Sequence, residues 1–242
     1  MTKKIVKIIL AASLILFIFS FFEKNNLPQS NQILSDLKKQ PLQEDLSMER
    51  FFVAKSKYIY ELTPKYTYEI YGLVVSDYNS QNILDIHHQK DPYNTKDICL
   101  VWGDNLNSDI YRKMKFTHGE FTCYVQFPQG SSYPQFHFDE LSNNHLLATT
   151  DEIYRLINDT NIGDQVYAKG YLVDYTIRSK DGEEIGTRQT SITRSDRGCE
   201  IIYVTDYKIL KKGNLIYGYI NNISLSSFVV SFVILLLMFV TS

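Results

Sequence analysis

"GDQVYAKGYLVDYTI", residues 163–177, is the stretch whose reading decides the fold. Its β-branched and aromatic residues suit a long pleated strand. Gly170 in its middle invites a bulge or a tight curl. Downstream, "DG" at 181–182 makes a turn, "RQTSITR" a further strand and "CEIIYVTDYKIL" the last one. Upstream, "TTDEIYRLIND" reads as a helix: Thr149 with Glu152 has the form of a capping box, and Ile153, Leu156 and Ile157 give one apolar face. In "KYTYEIYGLVVSDY", Tyr66, Tyr68, Ile70 and Gly72 share one side and Tyr71, Leu73 and Val75 the other, so that strand is expected to be buried on both. "DICLVWGDN" is a strand ending in a Gly-Asp turn, and "FTCYVQFP" another, stopped by Pro128. Residues 79–97, with His87 and His88, and "QGSSYPQ" read as loops.

That order predicts a mainly β (α+β) domain from about residue 51 to 213. It resembles a small closed or partly closed barrel, or a curled sheet, with one or two short helices, the long curled strand and the last strand being similar to those of oligonucleotide/oligosaccharide-binding (OB) barrels. A likeness of fold implies no ligand. The chain also resembles a family of bacterial membrane-anchored proteins in "YEIYGLVVS", "CLVWGDN", "LSNNHLL" and a T-S-x-x-R-x-D-x-G-x-C-E pattern. Thr190, Ser191, Arg194, Asp196, Gly198, Cys199 and Glu200 fit that pattern. The resemblance covers roughly residues 60–210, implies one coherent domain and lends no catalytic residues.

The ends place the domain. Lys3, Lys4 and Lys7 precede an apolar run from Ile8 to Phe22, and "LSSFVVSFVILLLMFVTS" from Leu225 carries no charge. Both approach the roughly 20 residues that cross a bilayer. The first is expected as an uncleaved anchor over 1–23, because Ile18 is not the small residue a cleavage site near Ser20 needs. The second is expected as a transmembrane helix over 224–241. The lysine tail keeps the termini cytoplasmic and the central domain periplasmic or otherwise extracytoplasmic, at an inner membrane. Lys208, Lys211 and Lys212, close to the second span, argue the other way. Residues 24–50 read as a polar linker, with a short helix capped by Ser30 between Pro28 and Pro41.

A net charge of −2 offers no field for nucleic acid, so a nucleic-acid-binding OB-like domain is the weaker alternative despite 18 tyrosines that could stack on bases. Cys99 and Cys123 lie in strand-like runs and form a disulfide if those strands are neighbours; Cys199 is then free or intermolecular. Equally, all three cysteines are small buried hydrophobes.

Four constellations are candidate sites. Ser142, Asn143, Asn144 and His145 are read as a structural turn before the helix, since Asn and Ser mimic backbone turns. Their chemical reading is an envelope hydrolase using His145 with Asp139 or Asp196. Arg194, Asp196, Arg197 and Glu200 gather charge at a hairpin tip, for an anionic ligand or for ion pairs alone. Trp102 with Asp104 is an aromatic platform beside a carboxylate, or a core tryptophan before a polar turn. His137, Asp139 and His145 make a weak zinc set. No phosphate-binding glycine loop or hydrolase motif occurs, and no cofactor is expected. The expected role is a non-catalytic binding or assembly module of the envelope, partnered by the bilayer and by another envelope protein or a small ligand.

Overall fold

The computed structural model describes residues 2–80, 91–128, 135–193 and 198–240. The chain divides into two compact units, residues 1–27 with 213–242, and residues 28–212.

The first unit is two helices, α1 (Lys3–Glu23) and α3 (Leu215–Val240). Their 21 and 26 residues make both long and apolar enough to cross a membrane. Polar groups on helices this apolar need internal partners. Asn221 has them: its Nδ2 donates to Phe17 O and Ser20 Oγ, both at 3.2 Å, and its Oδ1 accepts from Lys24 Nζ at 3.2 Å.

The second unit is mainly β. Its elements are β1 (Leu42–Asp45), β2 (Phe51–Lys55), β3 (Tyr58–Tyr78), β4 (Asn94–Val101), β5 (Lys115–His118), β6 (Cys123–Gln126), β7 (Leu141–Ala148), α2 (Asp151–Asn158), β8 (Gln165–Ser179), β9 (Glu184–Arg188) and β10 (Glu200–Lys211). β3 pairs antiparallel with β4 through residues 73–78 and with β8 through residues 58–73. β4 continues to β7 antiparallel, β7 to β10 parallel and β10 to β8 antiparallel. The β3–β8 pairing curls the sheet, while β1, β2 and β9 hang on it as edge strands. The sheet as a whole is curled and not a closed barrel: of the two forms expected the barrel is corrected and the curled sheet stands. β5 and β6 form a separate hairpin.

Gly170 stands where a close approach and a register irregularity coincide, in line with the expected bulge or tight curl. A Cβ there would sit 1.9 Å from Tyr203 O, so the glycine lets β10 lie close against β8. The nearby register shift lies between Val204 and Asp206. β9 covers Glu184–Arg188 instead of "RQTSITR", most of which lies beyond the strand. The helix starts one residue later than expected: Thr150 Oγ1 accepts the Ile153 N–H at 3.2 Å, while Thr149 Oγ1 donates to Val204 O at 2.7 Å.

Residues 28–50 belong to the compact unit, where a linker was expected. They form two 3-10 turns and β1. Leu37 is fully buried, Tyr111 Oη donates to Pro28 O at 2.7 Å, and the Leu34 N–H donates to Gln165 Oε1 at 2.8 Å. Composition is polar here because only every few residues one side chain turns inward.

"LSNNHLL" is strand β7, not a turn. Flanked by β4 and β10, its backbone is satisfied by ladders, and its polar side chains find partners within the sheet. One core lies on the α2 side, with Ile98, Leu100, Trp102, Leu146, Ile202 and Tyr207. The other gathers Tyr60, Tyr93, Leu147, Tyr175 and Ile201. The side chains of Asn143 and His145 share β7's second face with Leu147.

Candidate functional site

The site follows from register. Across the antiparallel β4–β7 pair, Asp97 lies opposite His145 and Cys99 opposite Asn143. Residues two apart share a face, so all four side chains rise on one side. β10 runs parallel along β7's other edge with Glu200 opposite Asn144, which brings Cys199, one residue earlier, beside Asn143.

The result is a line of three groups. His145 Nδ1 is 2.6 Å from Asp97 Oδ1, both side chains buried. The Cys199 thiol stands beside Asn143 on the neighbouring strand, close enough for the charges on it and on His145 to act on each other. Burial alone would push the imidazole down, but the Asp97 carboxylate outweighs it and raises His145 to about 9. Burial would likewise push the Cys199 thiol up; the neighbouring His145 and the Asn143 amide outweigh that and lower it. Both shifts favour the charged form of their group, imidazolium and thiolate. Asn94 Nδ2 donates to Asp97 Oδ1 at 2.8 Å, while Asp97 Oδ2 is buried without a hydrogen-bond partner.

Asn143 is held from three sides. Its Nδ2 lies 2.9 Å from Phe121 O and 3.4 Å from Cys199 Sγ, and its Oδ1 lies 2.7 Å from His118 Nε2. The Cys199 thiol also reaches Phe121 O at 3.4 Å. Arg188 lies over the Phe121 ring, 4.2 Å from its centroid, with its Nε 3.4 Å from Asp91 Oδ2. Asp91 in turn accepts from Tyr60 Oη at 3.0 Å and from Tyr175 Oη. Burial, then the Asp91 charge, hold the Tyr175 hydroxyl far above its ordinary range, so it serves as a donor.

A cavity of about 790 Å³ opens beside the thiol. Cys199, Asn143, Asp139 and Thr193 line it, with residues 122–125 along one wall. Cys99 and Cys123 are joined by a disulfide, Cα to Cα 5.9 Å, which fastens β6 above β4. Cys199 is the free cysteine.

Not all the expected constellations assemble. Asn143 and His145 enter the site; Asn144 does not, its Nδ2 donating to Ser142 Oγ at 2.9 Å and Ile98 O at 3.3 Å. Asp139 borders the cavity, but the acid bonded to His145 is Asp97. Trp102 is fully buried with its Nε1 3.3 Å from Gln40 Oε1, and Asp104 is exposed and bonded to Asn107, so the two make no platform. Glu200, buried at the start of β10, and Ser142 line the cavity as well. Arg194, Asp196 and Arg197 lie outside the described residues, as do His87 and His88. Among the described residues no His/Cys/Asp/Glu group is placed to hold a metal ion.

Sequence reasoning missed Asp97 and Cys199. The available signal was parity: Asp97 and Cys99, like Asn143 and His145, stand two apart within strand-forming runs, polar or sulfur-bearing where apolar residues belong. No family model, curated protein or solved structure matches the chain.

Proposed function

We propose that the 28–212 unit is a membrane-tethered thiol enzyme that transfers or hydrolyses acyl groups, with Cys199 as nucleophile. The observation that carries this reading is the buried Asp97–His145 pair set beside the Cys199 thiol, which opens onto a cavity. A nucleophile, a base beside it and a third group orienting the base make the arrangement that covalent acyl chemistry requires.

Each residue then has a task. The Cys199 thiolate adds to the substrate carbonyl carbon, and the carbonyl π pair moves onto oxygen. Asn143 Nδ2, already beside the sulfur, is the donor nearest that developing oxyanion. Collapse expels the leaving group, which takes the proton of the His145 imidazolium, and a thioester remains on Cys199. Water or an acceptor amine attacks the thioester as His145 removes its proton, releasing product and restoring the thiolate pair. Asp97 holds the imidazole through Nδ1 and stabilises its charged form.

Two finer features belong to this reading. The ladder sequence β3–β4–β7–β10–β8, with its single parallel contact at β7–β10 and α2 between β7 and β8, supports an OB-like arrangement of these five strands. The lysines at residues 3, 4 and 7 support a domain outside the cytoplasmic membrane, and the Cys99–Cys123 disulfide fits an oxidising compartment.

A non-catalytic envelope module that binds a ligand or partner in the same cavity is the second reading, favoured by the size of that cavity. Covalent chemistry separates the two. Full-length protein in detergent is mixed with p-nitrophenyl acetate, and peptide mass mapping follows acetylation. The enzyme reading expects rapid acetylation of Cys199, slowed about 100-fold or more in His145→Asn. Acetylation of Cys199 no faster than that of free cysteine leaves the binding module.

A further inference from the structure

We infer that the ligand of this cavity is an extended polypeptide, which adds as a strand to the outer edge of β6 and so passes over Cys199. The inference rests on the proposed enzyme reading for its chemistry but on separate observations for its geometry.

The first is the hydrogen-bonding parity of the β5–β6 hairpin. The Gly119 N–H donates to Thr122 O at 2.9 Å and closes the turn. Bonded and non-bonded pairs alternate along an antiparallel ladder. With Thr117 opposite Tyr124 and Lys115 opposite Gln126, the bonded positions of β6 are 122, 124 and 126. The backbone N–H and C=O of Cys123 and Val125 therefore point away from β5. Among the described residues β5 is the only ladder partner of β6. A strand edge left in this state is a template for another extended chain.

The second observation is where that edge lies. Residues 122–125 form one wall of the cavity, and Asn143, Gly198 and Cys199 belong to the same lining. The disulfide fixes β6 at that height, so the edge is held in place. Its backbone donors and acceptors repeat at every second residue, a spacing that polypeptide matches and that sugars or lipid chains do not. Val125, Phe138 and Leu141 offer apolar contact to alternate side chains of the guest. About 790 Å³ falls within the roughly 300–1,000 Å³ typical of ligand sites.

The test compares electrophiles bearing one warhead. Acetyl-Val-Ala-Val-Ala chloromethyl ketone, its backbone N-methylated analogue and chloroacetone each alkylate a thiolate by forming a C–S bond and expelling chloride. Rates on Cys199 of the full-length protein in detergent are divided by those on free cysteine. Strand addition expects the peptide to gain about 10-fold or more over chloroacetone, and N-methylation to abolish the gain. Val125→Pro, which removes one outward N–H, should lower the ratio of the peptide rate to the chloroacetone rate. Equal rates for the peptide and its N-methylated form would overturn the inference. Failure of the enzyme reading looks different: Cys199 would react with chloroacetone no faster than free cysteine. The peptide-to-N-methyl ratio still decides strand addition in that case, because intrinsic thiol reactivity cancels from it.

Discussion

At the residue scale the account turns on His145 and the two groups it joins. Its pKa rises on folding from 6.5 to about 9. A raised basic group stabilises the fold fully below its unfolded pKa, and that stabilisation is lost as pH climbs through the folded value. Between pH 6.5 and 9.5 the pair should therefore lose on the order of 2–3 kcal/mol. The thiol has the opposite linkage, its depressed pKa favouring the fold as pH rises, so urea unfolding belongs in a Cys199→Ser background. There, His145→Gln should flatten the pH dependence over this window; an unchanged slope would assign it to other groups. His145 was visible in the sequence as a polar residue amid leucines. Its partners were not, because Asp97 stands 48 residues before it and becomes adjacent only once β4 and β7 pair. The sequence-based acid, Asp139, is nearer along the chain but exposed.

At the element scale, periodicity fared well where strands were long and apolar, as in β3, β8 and β10. It failed where polar residues serve inside a sheet. Ser142–His145 has the composition of a turn, yet β7 uses those side chains to bond one another, Ile98 O, Asp97 and Phe121 O. The 28–50 segment deceived in the same direction, its polar surface hiding a buried Leu37. Leu37→Ala should cost about 2–5 kcal/mol, as truncation of a packed core leucine does. Chemical denaturation of the full-length protein reads this directly; a change below about 0.5 kcal/mol would mean that the segment is the linker its composition suggests.

At the scale of the whole molecule, two helices apolar and long enough to cross a membrane accompany a disulfide-bearing β unit, compatible with the tethered domain proposed above. If that domain faces outward, a membrane-impermeant maleimide added to intact cells should label Cys199, the one cysteine outside the disulfide. Labelling only after lysis would reverse the orientation. The central claim concerns the Asp97–His145–Cys199 line, and the pH profile of Cys199 alkylation by iodoacetamide tests it most directly. The Cys199 thiol is predicted to titrate below its ordinary value of about 8.5, returning to that value in His145→Asn. A wild-type profile that titrates at the ordinary value, unchanged by His145→Asn, would contradict the claim.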